Sequence, residues 1–87
     1  MIEYVENSGE SMETAIIIKN APNHFEGVNA EYIYISRKFG VKGKDWKLKQ
    51  QSLLPKNEKH FDKMEIILSD GTEITIFFDI SEFYGKF

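Results

Sequence analysis

Between residues 20 and 40, Phe25, Val28, Tyr32, Ile35 and Phe39 recur at steps of three and four. That spacing is one stripe of an amphipathic α-helix. Asn23 followed by Glu26 supplies a capping box at its start. Gly40, placed after Arg37 and Lys38, supplies a stop with cations at the negative end of the helix dipole. Opposite the stripe stand Ala30, Ile33 and Tyr34 beside Arg37. A wet helix face has no need of an isoleucine and a tyrosine.

Elsewhere the period is two. "IEYVE" (2–6) and "ETAIIIK" (13–19) read as strands joined by the turn-rich "NSGES". Ile16 and Ile18 face one way and Ala15 and Ile17 the other, which predicts a strand covered at least in part on both sides. In "DWKLKQQSLL" (45–54), Trp46 and Leu48 alternate with Lys47, Lys49 and Gln51. Pro55 and "KNEK" are expected to form a polar loop. "FDKMEIILSDGTEITIFFDI" (61–80) is a hairpin around Asp70-Gly71. A two-residue turn would set Ile66 opposite Thr75 and scramble the apolar face. A three-residue loop, Ser69-Asp70-Gly71 with Gly71 left-handed, sets Ile66 opposite Ile74 and Met64 opposite Ile76. The bulged hairpin is therefore expected.

In "DISEFYGKF", Asp79 with Glu82 three residues later is expected to cap a short terminal helical turn carrying Phe83 and Tyr84. The expected fold is α+β in one domain spanning 1–87: one main helix on an antiparallel sheet of four to five strands, a two-layer sandwich in the order β(β)-α-β-β-β.

Composition changes this picture little. Eighty-seven residues, 41% hydrophobic and 29% charged, suit one small globular domain. Seven Phe, four Tyr and one Trp give the small core bulky filling. With no cysteine, disulfides, thiolate metal sites and a Cys nucleophile are excluded. Nothing resembles a signal peptide, and no apolar run approaches a membrane span. A cytoplasmic location is the expectation.

Catalytic signatures are missing. Glu58, His60 and Asp62 form a local polar triplet without a second histidine nearby, so no metal is expected. Glu65 and Asp79, with His60, are the remote option for an enzyme, and with Lys63 beside them the carboxylates read better as a surface ladder. Gly40 and Gly43 do not open a helix, and no phosphate-loop motif occurs. The expectation is a non-enzymatic protein without a cofactor.

Charge, by contrast, is uneven beneath the net −3. Arg37, Lys38, Lys42, Lys44, Lys47 and Lys49 form a basic segment between acidic ends, the outline of a nucleic-acid module. Alternation turns Trp46 away from Lys47 and Lys49, and a nucleic-acid domain is usually basic throughout, so a wet surface explains the lysines better. The stronger signal is surplus apolar surface: Ile33 and Tyr34 with Arg37 on the helix, Ile67 and Phe77 on the sheet, and Phe83, Tyr84 and Phe87 at the end. Apolar residues rimmed by charge mark protein–protein surfaces. A binding or regulatory module is expected, with a protein partner and a homodimer as its simplest form.

Overall fold

The computed structural model describes residues 1–86. The chain forms strands β1 (Glu3–Val5) and β2 (Ile16–Lys19), helix α1 (His24–Phe39), then strands β3 (Trp46–Lys56), β4 (Lys59–Leu68) and β5 (Glu73–Asp79). All five strands join one sheet in the order β1-β2-β5-β4-β3. The fold is the expected α+β arrangement, with one correction. The sheet is mixed, because β2 and β5 pair in parallel.

The reason is the helix. α1 carries the chain back from the end of β2, so β3 must start where β2 started, and the two run in the same direction. Such a return needs a crossover, which the helix provides. β3, β4 and β5 then fold as an antiparallel meander. β5 drops into the gap beside β2, where it runs parallel to it.

The hairpin register follows the expected alignment. Ile66 pairs with Ile74 and Met64 with Ile76. Gly71 sits at φ 90, and Leu68 N donates to Thr72 O at 2.8 Å to close the loop. Met64, Ile66, Ile76 and Phe78 thereby meet Ile16, Ile18 and Trp46 in one core cluster. Asn23 Oδ1 accepts from Glu26 N at 2.8 Å, and Gly40 N donates to Ser36 O at 2.9 Å, so both helix ends are capped as anticipated.

The face that α1 buries differs from the expected stripe. Gly27, Ala30, Glu31, Tyr34 and Ile35 are buried, whereas Phe25 is 78% exposed. Val28, Tyr32 and Phe39 lie half-buried along one flank. The helix is rolled from the predicted orientation by about one residue step, some 100°. Packing chose the narrow line of Gly27 and Ala30 for closest approach, and the aromatic rings went to the flanks.

Two further expectations fail in the β3–β4 region. The polar loop shrinks to a two-residue turn, with Lys56 paired to Lys59 across Asn57 and Glu58. A bulge between Leu48 and Gln50 breaks the alternation. Gln51 therefore faces the helix side, opposite Met64, and no longer shares a face with Lys47. The terminal segment closes through turns, with Tyr84 N donating to Ile80 O at 2.9 Å. Asp79 Oδ1 accepts from Ser81 N at 3.0 Å, but Glu82 instead takes Asn20 N at 2.6 Å. Phe83 is fully buried beneath the helix; Phe87 lies outside the described residues.

Gly27 is the contact that lets α1 settle. A Cβ there would fall on the buried ring of Phe83. Gly27→Ala gains about 1 kcal/mol of helix propensity. Overpacking against a ring with no room to move costs about 1–3 kcal/mol. A net loss of about 1 kcal/mol is expected in urea unfolding. A more stable variant would show that the Phe83 ring yields.

Candidate binding groove on the open sheet face

α1 covers one face of the sheet, and the register fixes what lies on the other. Val5 pairs with Ile17, Ile17 with Asp79, Asp79 with Phe61, and Phe61 with Leu54. This row crosses all five strands and is apolar except for one carboxylate. Its middle is deeply buried, with Phe61 at 6% and Asp79 at 7% exposure, although among the described residues no helix or further sheet lies on this face.

Two chain segments rise over the row and make it a groove. One wall is the connection between β1 and β2, which contributes Met12 and Glu13. It is pinned by Phe77 N donating to Gly9 O (2.8 Å) and by Asn7 Nδ2 donating to Ala15 O (2.9 Å). The other wall is the β3–β4 turn, with Lys56, Asn57 and Lys59. Ala15, Ile17, Phe61 and Asp79 form the floor of a cavity of ≈ 280 Å³. Lys56 Nζ reaches Glu13 Oε1 at 3.3 Å, tying wall to wall. Lys59 Nζ stands 3.9 Å from Asp79 Oδ2, whose other oxygen takes Ser81 N. The Lys56 contact and the local backbone hold the Glu13 carboxyl below its ordinary range, the backbone hydrogen bond being the larger cause. Neither the groove nor the Asp79–Lys59 pair was anticipated. The one sequence signal was an aspartate directly after Ile76-Phe77-Phe78 at the end of β5.

The residues expected to form an interface do not come together. Tyr34 is 4% exposed, packed 5.2 Å from Tyr4 and 5.8 Å from Phe78 between ring centroids. It is a core residue, because the helix roll carries it inward. Arg37 lies over the Tyr4 ring at 5.6 Å, and Ile33 is exposed on the outer side of the helix. Ile67 and Phe77 are half-buried on the opposite side of the molecule, on the open face. Only those two belong with the groove's face.

The six basic residues are dispersed as well. Lys38 lies over Tyr34 at 5.6 Å and Lys42 over Tyr32 at 5.0 Å, both on the helix side. Lys49 is paired with Glu73 at 2.5 Å. Lys47 projects from the open face opposite Ile67. Among the described residues, only Lys44 and Lys47 of the six have neither an ion pair nor an aromatic partner. They do not form one strip.

The residues of the remote enzyme option do not come together either. Glu65 pairs with Thr75 and Asp79 with Phe61, so the two carboxylates stand four residues apart along β4. His60 stacks on Tyr84 at 4.0 Å, and Asp62 points to the helix side. Among the described residues no group of three or more His, Asp or Glu is placed to hold a metal.

One buried group is unexpected. Glu31 is 0% exposed in the middle of α1, and no donor reaches either carboxyl oxygen. Burial, then a hydrogen bond to Asp62 and the charge of that carboxyl, push the Glu31 pKa up from 4.5 to about 11. Glu31 is thus a neutral acid whose O–H can donate to Asp62. Asp62 also accepts from Gln51 Nε2 at 3.2 Å, and Tyr32 Oη donates to Gln51 Oε1 at 3.4 Å. The bulge in β3 is what brings Gln51 to this face.

No family model, no curated protein and no solved structure matches the chain.

The buried acid gives a pH dependence of known sign. Glu31 is protonated in the folded chain and ionised in the unfolded chain between pH 4.5 and about 11. Its contribution is complete below that window and is lost as pH rises, by at most about 1.4 kcal/mol per unit. Glu31→Gln removes the titration, so its stability relative to wild type should rise between pH 5 and pH 8 by roughly 1 kcal/mol or more. Urea unfolding at the two pH values measures this. Parallel profiles would mean that Glu31 is ionised in the fold.

Proposed function

We propose that this chain is a small non-enzymatic binding module that acts through protein contacts on the open face of its sheet, with a second copy as the partner. The observation that supports it is the row Val5, Ile17, Phe61 and Leu54, continued by Phe77 and Ile67, on the face that the helix leaves uncovered. Such a face is buried in many two-layer folds by pairing with another layer. Its charges favour a copy of itself. Lys19, Lys47 and Lys63 with Glu3 and Glu65 belong to none of the ion pairs among the described residues. Both signs interspersed on one patch are self-complementary about a two-fold axis.

The nucleic-acid alternative has less behind it. Four of its six cations already have an ion pair or a ring, and they lie on different sides of the molecule. A steep salt dependence needs several phosphate-facing charges on one surface.

Sedimentation between about 10 µM and 1 mM tests the reading, since a weak dimer dissociates within that range. Wild type should move towards twice the monomer mass as concentration rises. Ile17→Glu and Phe77→Ser should each remain monomeric, while Ile33→Ser, on the helix, should behave like wild type. A wild-type chain that stays monomeric throughout sinks the reading.

A further inference from the structure

The groove has walls of opposite sign. Lys56 and Lys59 stand on the turn side, Glu13 on the facing wall, and Asp79 in the floor. Between them lie Ile17 and Phe61. We propose that this groove binds a free α-amino acid with an aliphatic side chain. The inference goes beyond self-association and uses none of the charges assigned to it; it shares Ile17 and Phe61 with that face, so the groove takes its ligand in the single chain.

Charge decides the class. A simple cation entering the groove meets two lysines, and a simple anion meets two carboxylates. A zwitterion satisfies both walls: its carboxylate turns to Lys56 and Lys59, and its ammonium to Asp79 and Glu13. Its aliphatic side chain lies on Ile17 and Phe61, where burial contributes about 25 cal/mol per Å². Size decides the rest. A cavity of ≈ 280 Å³ stands at the small end of ligand sites and holds one small molecule, not a peptide.

The internal ion pairs do not bar entry. Lys59 pairs with Asp79 only at 3.9 Å, and the Lys56 and Lys59 side chains keep 49% and 62% of their exposure. The Lys56–Glu13 pair is exposed on both sides and contributes little, and at Asp79, whose side chain is 10% exposed, a ligand ammonium would replace a contact that is already long. The wall that carries both lysines is held by a tight turn. Asn57 and Glu58 sit at φ 50 and φ 66, the left-handed pair that a two-residue hairpin turn requires.

The test is an amide NMR titration of the full chain with leucine up to about 10 mM, which detects affinities as weak as millimolar. Two truncated analogues run beside it: 4-methylpentanoate, which lacks the amine, and 3-methylbutylamine, which lacks the carboxylate. Leucine should give saturable shifts at residues 12–17, 56–61 and 79, and each analogue should bind at least about tenfold more weakly. Lys59→Gln, a surface change, should weaken leucine binding similarly while the rest of the spectrum is retained. Absence of saturation overturns the proposal. So does an analogue that matches leucine, because the groove would then recognise a single charge, and so does unchanged binding by Lys59→Gln. The titration is run at a protein concentration at which sedimentation finds the single chain, so a second copy cannot cover the groove and either idea can fail alone.

Discussion

One helix has to cover five strands. At about 4.8 Å between neighbours the sheet is roughly 20 Å across, whereas a helix with its side chains is about 10 Å wide. Centring α1 leaves two uncovered margins, and large rings fill them. On the β1 side, Tyr4 packs against Tyr34 and its hydroxyl donates to Ala30 O at 2.8 Å. On the β3 side, Tyr32 stacks on Trp46 at 6.3 Å, and Trp46 Nε1 donates to Gly40 O at 3.0 Å. Beneath the helix start lies Phe83, admitted by Gly27. Arg37 and Lys42 then spread over the outer tyrosines. The aromatic wealth of the chain and the fate of its cations are one consequence of this mismatch in width.

The crossover sets the second constraint. Because α1 carries the chain from β2 past the places that β5 and β4 take, β3 ends as a long edge strand, exposed to pairing with other chains. Lys47, Lys49, Lys56 and Pro55 along it are the residues that discourage such pairing. Its bulge does more. Shifting the alternation brings Gln51 under the helix flank, where its amide joins Asp62 to Tyr32. A buried carboxyl at Glu31 is tolerable only as the neutral acid, with Asp62 as its acceptor. Edge protection and the buried polar network thus share one irregular residue in β3.

Local chemistry was legible in the sequence, and long-range geometry was not. Gly71 and the demand for a single apolar face determined the β4–β5 register to the residue. Asn23 and Gly40 marked the helix ends because capping acts within four residues. The face of α1 misled, because Phe25, Val28, Tyr32, Ile35 and Phe39 make the more hydrophobic stripe, yet close approach to a sheet rewards small residues. A tyrosine expected on the surface is core for that reason. The bulge left no mark in "KLKQQ", and it reversed Gln51. The groove depends on Glu13 and Lys56 meeting across 43 positions, a contact that no periodicity encodes.

The open face is where these constraints leave a choice. A sheet that needed only to stay wet there would carry polar residues at every outward position. Its β5 and β4 positions at one end largely do so, with Glu73, Thr75 and Glu65 around a single Ile67. At the other end Phe61 and Ile17 take those positions, and Asp79 sits between them. Placing a carboxylate in an apolar row costs solvation, which the Ser81 N–H and a long contact to Lys59 only partly offset. A hydrophobic residue at 79 would have spared that cost and would have made the row a featureless patch. One polar group at the base of an apolar recess gives orientation and rejects ligands that lack its complement. The two ends of a single sheet face therefore differ in kind, largely polar around Glu73, Thr75 and Glu65 and an apolar recess with one carboxylate around Ile17, Phe61 and Asp79.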